Sequence, residues 1–376
     1  MRLSGAVAAA VLVTTVSAER AWACGGFFCN KAQVDQTAEQ IVFAREGDKS
    51  AAYIQIRYQG SVASFGWIVP VRNVPEKLEL SSTQIFNDLN RLTAPTFIAP
   101  VSAASTGGGL CASSSTALAF PKAAEAGSVD VLGEGTFGKF NYAILQSTSA
   151  DALFQWLQTN GYNPATDDAK AIIQQYLNEQ ATFVALKLEP DARISDIQPV
   201  KITFPKWDPC VPLRLTRIAA QPNMGVLVYV VGDTRATSSN YGSVTVADKD
   251  VRFRPDGFGP TNYRTLVKNA VAAAGSHAFI TEFAGATDAL ANRGVTADTQ
   301  AILGSGKYLT RLYTVISPAD MTLDPDFVLS DPGKLGDVSN VHRLGDESLA
   351  ARGLPTTMFL AFALMGTIRR KRARES

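Results

Sequence analysis

Four cysteines, two histidines, a glycine-rich run and an acidic cluster are the residues of this chain whose type and spacing could do chemistry. Cys24, Cys29, Cys111 and Cys210 form an even set, which reads as disulfides in an oxidising compartment. Three pairings exist, and the favoured one joins Cys24 to Cys29 and Cys111 to Cys210. Gly25 and Gly26 would supply any positive φ the small ring needs. In the loop-entropy model the long ring, about 100 residues, would stabilise by up to ~4.7 kcal/mol and the short one by ~2 kcal/mol. Metal binding is the rival, but no CxxC or Cys/His pair stands at ligand spacing. A Cys-x4-Cys step also differs from the CxxC of disulfide oxidoreductases.

A serine hydrolase needs a base, so it would have to use His277 or His342. Ser276 adjoins His277, but sequence neighbours rarely act on each other, and no GxSxG is present. His277 reads as a turn residue between a helix and a strand. The run from Gly133 to Gly138, followed by Lys139, matches GxGxxG and could bring backbone amides to a phosphate. No VAIK lysine, HRD or DFG follows it, so it reads as a glycine-rich hairpin turn. Asp320, Asp324, Asp326 and Asp331 are hard oxygen donors suited to calcium, yet their spacing is not that of an EF-hand and prolines interleave them. An ordinary solvated loop explains them as well. Phe65, Trp67, Trp156 and Trp207 could line a ligand groove, though an aromatic core accounts for them more simply. The sequence therefore assigns no catalytic, cofactor-binding or metal-binding residue.

The elements that must position these groups alternate between strand and helix patterns. Residues 38–45, 51–58 and 64–71 read as strands separated by turn signals. In the second, Ala52, Ile54, Ile56 and Tyr58 share one face and Gln55 and Arg57 the other, the mark of a half-buried antiparallel strand. A helix capped by Ser81 or Ser82 runs to Leu92, and Ser149 caps another that closes at Gly161. Residues 102–115 form a loop that carries Cys111, and residues 129–132 and 137–145 a hairpin. A helix over 168–178 precedes strands at 182–188, 200–204, 213–218 and 225–231. The last of these is apolar on both faces and should be central. A helix over 261–274 and strands at 278–283 and 311–316 complete the pattern. The mixed order with few βαβ units defines an α+β fold with largely antiparallel sheets and a few packed helices.

The termini set the compartment. Arg2, an apolar run over residues 6–16 and the small residues Ala21 and Ala23 have the layout of a secretory signal cleaved before Cys24. Glu19 and Arg20 interrupt the run, which argues against a lipoprotein signal at Cys24. Residues 354–368 are apolar, and Arg369, Arg370, Lys371, Arg372 and Arg374 follow as a cytoplasmic stop. Fifteen residues reach only ~22 Å as a helix against a hydrocarbon core of ~30 Å, a shortfall that snorkelling or a thin bilayer makes up. The tail resembles the tripartite sorting tails of bacterial surface proteins, although no cysteine motif precedes the span.

The expected organisation is thus a signal peptide over 1–23 and an extracytoplasmic domain over 24–316, in one or two subdomains. An Asp-rich stalk over 317–353, a membrane segment over 354–368 and a basic tail over 369–376 follow. The chain carries a net charge of +1, to which the signal contributes +1 and the residues from Ala351 onward +5. The region between is left at about −5, which argues against a nucleic-acid partner.

Several segments carry a family likeness. They are CGGFFC from Cys24, EQIVFA from Glu39, FGWIVPV from Phe65, NGY at Asn160 and IQPV from Ile197. PLRLT from Pro212, MGVLVYV from Met224, SNY at Ser239 and RLYTVISP from Arg311 continue it. Together they resemble the exported bacterial family catalogued as domain of unknown function 2330. The resemblance implies an extracytoplasmic protein and supplies no catalytic residues; Cys111 and Cys210 fall outside its motifs. The functional expectation is a membrane-attached envelope or surface module at the periplasm or cell surface, binding an envelope protein, surface protein or glycan, or serving structurally. The alternative is a carboxylate-based extracytoplasmic hydrolase or transferase, which would show itself as two carboxylates ~5–9 Å apart with one raised pKa.

Overall fold

In the computed structural model, the described residues are 35–59, 65–98, 129–162, 167–193, 196–253 and 261–345. The expected signal, Cys24, Cys29, the loop with Cys111 and the apolar segment 354–368 lie outside them.

Runs of β-branched and aromatic residues build two sheets. The larger holds eight strands in spatial order, β12 (Gly242–Val244), β13 (Ala278–Ala286), β14 (Tyr308–Ile316), β10 (Ala220–Gly232), β1 (Asp35–Glu46), β2 (Lys49–Gln59), β9 (Val200–Phe204) and β4 (Lys77–Leu80). The smaller orders four, β3 (Gly66–Val71), β8 (Thr182–Leu188), β7 (Phe140–Ser147) and β6 (Val129–Phe137). Within these sheets β1 runs parallel to β10 and β12 to β13, and the remaining pairs are antiparallel. Two short ribbons join β11 (Ala236–Ser238) to β15 (Phe327–Leu329) and β5 (Thr96–Ile98) to β16 (Val341–Arg343). The α+β class with mixed, largely antiparallel sheets is what the sequence pattern called for.

The sheets face each other, and helices cover both outer faces. Ile41, Phe43, Ile54, Val228 and Ile202 of the large sheet meet Trp67, Val69, Phe140, Val184 and Leu186 of the small one. On the other side of the large sheet, Val42, Ala51, Tyr53 and Tyr229 pack against α1 (Thr83–Thr93), α6 (Asp288–Ala291) and α7 (Ala297–Gly304). α5 (Tyr263–Ala273) covers the same face farther along, through Val267 and Val271. The outer face of the small sheet carries Leu145 and Phe183 under α2 (Ala150–Thr159) and α3 (Asp167–Asn178). Four layers result, helix, sheet, sheet and helix.

Local signals behave as their chemistry dictates. The Ser82 and Ser149 side chains accept from the amides of Gln84 and Ala152 and cap α1 and α2. Strand β10, buried without interruption from Met224 to Gly232, lies between β14 and β1.

Four expectations are corrected. Strand β2 is buried on both faces over Ala51 to Ile54, because the second face, read as solvent-facing, lies under α1 and α7. Residues 213–218 form no strand: Leu213–Thr216 is the helical turn α4, with Leu213 and Leu215 both buried. The glycine-rich run is mostly strand. Gly133 and Gly135 sit within β6, where a Cβ on Gly135 would press on the Tyr142 ring, and only Gly138, at φ +56°, makes the turn. The acidic stretch expected as a stalk packs against the body through residue 345, where β15 and β16 join the two ribbons. Phe327 and Met321 are among its buried anchors.

Candidate functional site

Between the two sheets the packing opens into a cavity of about 410 Å³. Ile41 and Phe43 of β1, Ile54 of β2 and Trp67 and Val69 of β3 wall it with buried apolar surface. Glu39 and Thr216 add polar atoms to the buried wall, and Glu39 has interactions of its own.

Polar and charged residues ring the exposed end, delivered by several elements. Arg72 follows directly on β3, Glu179 follows α3, and Tyr176 comes from the last turn of α3. The short turn α4 supplies Arg214. Residues 209–211 run antiparallel to residues 325–327, with Val211 N–H donating to Pro325 O (3.2 Å) and Phe327 N–H to Pro209 O (3.0 Å). This clasp sets Cys210 opposite Asp326 and brings Asp324 to the same place.

Arg214 is the hub. Its guanidinium donates to Glu179 through Nη1 (2.6 Å) and Nη2 (2.7 Å) and to Asp324 through Nε (3.0 Å) and Nη2 (2.9 Å). Its backbone N–H donates to the other Asp324 oxygen at 2.8 Å. The same guanidinium stacks over the Tyr176 ring at 4.2 Å. Arg72 pairs with Asp208 (3.2 Å) and Asp326 (2.7 Å). Bidentate pairing of this kind fixes geometry as well as charge.

These contacts tune the site. The Arg214 hydrogen bonds hold the Glu179 carboxyl below its ordinary range. Burial pushes the Cys210 thiol well above its ordinary value, and the charge of Asp324 adds to the push. The thiol stays protonated and a poor nucleophile. Burial, then Asp324, raises Tyr176 likewise. The Tyr176 hydroxyl is closed off from solvent, with Asp324 beside it.

The residues singled out in the sequence scatter. Cys210 alone of the four cysteines is described; it has no disulfide partner among the described residues, and its expected partner Cys111 lies outside them. His277 directs Nε2 at the Asp320 carbonyl (2.9 Å) and sits edge-on to Tyr241. A carbonyl only accepts, so Nε2 carries the proton and cannot serve as a base. Ser276 adopts φ +65° in the turn before it.

His342 binds Asp248 through Nδ1 (2.7 Å) and stacks on Phe97, and no described residue bonds its buried Nε2. Lys139, after the glycine run, pairs with Glu189 (2.9 Å) and Asp191 (3.0 Å).

The acidic cluster splits apart. Asp324 serves Arg214, Asp326 serves Arg72, and Asp331 pairs with Lys334. Among the described residues no three His, Cys, Asp or Glu side chains are grouped to hold a metal ion. Phe65 is core, Trp67 lines the cavity, Trp156 stacks on Tyr162, and Trp207 lies under Arg45 at 5.4 Å.

Arg72, Tyr176, Glu179 and Arg214 escaped the sequence reading. The one available signal was Arg214 itself, a lone cation between two leucines that both prove buried. A charge in that position must find buried partners.

A four-layer protein with a charged cavity mouth between its sheets is the class this fold defines. The chain belongs to the family described as uncharacterized protein conserved in bacteria (DUF2330), whose model matches residues 18–328. No curated protein and no solved structure matches it.

Proposed function

We propose that this chain is an exported, membrane-attached binding module of the bacterial envelope, and that the cavity between its sheets is where it binds. The secretory layout of residues 1–23 and the apolar run with its basic stop after residue 353 support export and attachment. Among the described residues no helix is long and apolar enough to cross a membrane. The attachment therefore rests on residues 354–368.

The cavity carries the binding half of the proposal. Its volume of about 410 Å³ falls within the ~300–1,000 Å³ of small-molecule sites, and apolar walls with a few fixed polar groups are their usual make-up. A carboxylate hydrolase would need an acid that keeps its proton near neutral pH. Glu179 is held ionised by Arg214, which is the wrong direction for that role.

Intact-mass analysis of the mature protein from fractionated cells tests the export reading. The expected result is a chain starting at Cys24 in the membrane fraction with its thiols oxidised. A chain starting at Met1 in the cytosol with four free thiols would end the proposal.

A further inference from the structure

We infer that the cavity takes an extended peptide segment, which joins the small sheet as an added strand along the free edge of β3. This inference rests on the cavity being the binding site. β3 ends the small sheet, with β8 on one side and no strand on the other. Its hydrogen-bonding direction follows from a contact farther into the sheet, where Glu189 N–H donates to Lys139 O (2.9 Å). Antiparallel bonds recur at every second residue, so Lys187, Ala185 and Phe183 exchange theirs with β7. Leu186, Val184 and Thr182 then exchange theirs with Trp67, Val69 and Val71. Ile68 is left with its N–H and C=O, and Pro70 with its C=O, pointing away from β8. Pro70 has no N–H, so it gives up no ladder bond there. No described residue pairs with these groups, although Ile68 is only 2% exposed. Buried main-chain groups of this kind call for a partner.

The cavity follows that edge. Trp67, Val69 and Val71 belong to the cluster between the sheets and Ile68 to the one under α2 and α3, yet every residue from Trp67 to Asn73 lines the cavity. The stretch 206–216 borders it too, but bonds Pro325 through Val211 N–H and Asp324 through Arg214 N–H, with no bond to β3. A chain laid against β3 would turn alternate side chains toward Ile41, Phe43 and Ile54, so apolar residues suit those positions. A lipid tail or a sugar ring brings no row of donors and acceptors at strand spacing. A peptide does. The charges at the mouth agree. Arg72 and Arg214 each hold two carboxylates, whereas Lys206 is exposed and has no ion pair among the described residues. Lys206 is open to an acidic side chain, and Glu179, itself half exposed, to a basic one. A mouth of both signs complements a polypeptide that carries both.

The test is residue-resolved hydrogen exchange of the full-length chain in detergent micelles, with and without a short capped peptide of alternating valine and threonine. In the free chain the Ile68 amide should exchange faster than that of Val69, which β8 holds. Saturating peptide should slow Ile68 about tenfold or more. The same peptide N-methylated at every second residue keeps its apolar side chains and loses the donors that face β3. By fluorescence anisotropy it should bind about tenfold less tightly, the worth of one or two hydrogen bonds. An Ile68 amide already as slow as Val69 in the free chain would overturn the inference, since a segment such as 24–34 would then hold the edge. No slowing with peptide, or equal affinity for the N-methylated form, would overturn it too. The cavity itself is read with 8-anilinonaphthalene-1-sulfonate on the wild type and on Ala52→Phe, which fills the slot, with the circular dichroism spectrum as a check on folding. Dye lost in Ala52→Phe without any peptide effect sinks the peptide and leaves the cavity reading standing. Neither dye nor peptide in the wild type ends both.

Discussion

Two arginine–carboxylate clusters in this molecule have similar parts and opposite settings. On the helix-covered side of the large sheet, Arg311 donates to Glu282 (2.6 Å), to the Tyr229 hydroxyl (2.8 Å) and to Asn90 (3.0 Å). The Arg311 and Glu282 side chains are only 7% and 3% exposed. One cation meets one anion there, and neutral acceptors face its Nη1 protons. At the cavity mouth, by contrast, Arg214 serves two carboxylates, and one of them, Glu179, is 52% exposed. A closed, balanced network fastens α1 to the sheet. An open one, in which a single cation is shared between two carboxylates, borders the cavity. The contrast teaches that balance and solvent access, more than residue type, separate a cluster that fastens elements together from one that borders a cavity.

Breaking each cluster sharpens the difference. Arg311→Met strands Glu282 in the interior, and urea unfolding should show a loss of about 3–5 kcal/mol. Restoring balance with Glu282→Leu on top should recover much of it, since a buried pair replaced whole is often neutral. If the double variant is no better than the single one, the cluster does more than hold charge.

At the mouth, Arg214→Met should cost less, about 2–3 kcal/mol, because Glu179 can turn to water while Asp324 cannot. A loss equal to that of Arg311→Met would erase the contrast. The third test lies between helices. Asp88 accepts from Thr296 N–H (2.8 Å) and from the hydroxyls of Thr296 and Thr299 (both 3.0 Å), which ties α1 to the start of α7. Asp88→Ala should cost about 1–2 kcal/mol by urea unfolding, the worth of a lost cap.

The smallest effect is the dependence on acid. Arg214 holds Glu179 below its unfolded value. At Asp88 burial pulls upward, and the bonds from Thr296, Thr299 and Arg91 outweigh it. With folded values depressed, the unfolded state binds more protons as pH falls. The stability these groups add is whole above their unfolded pKa, near pH 4–4.5, and drains away as pH drops through the folded values. Melting scans from pH 6 to pH 3 should therefore fall more steeply for the wild type than for Arg214→Met. Parallel curves would show that the mouth contributes nothing to acid sensitivity.

Period and propensity made the strands at 38–45, 182–188 and 200–204, the caps at Ser82 and Ser149 and the central place of β10 readable in advance. These depend on neighbours within a few residues, or on a run apolar enough to demand burial on both sides. Residues 213–218 misled because a β-like alternation of Leu and polar residues also fits one helical turn when both leucines are buried. The stretch after residue 317 misled because prolines and aspartates resemble a solvated linker until Asp324 and Asp326 meet Arg214 and Arg72.

The sequence by itself determined the α+β class, the family likeness and the position of most elements, since periodicity and short motifs are written locally. Only the tertiary structure decided that strand β2 is covered on both faces and that residues from β3, α3, α4 and the 324–326 turn converge on one cavity. Their spacing along the chain carries no trace of that meeting. The partners of Arg214 lie 35 and 110 residues away, and charge pairing across such distances is settled by how the layers stack.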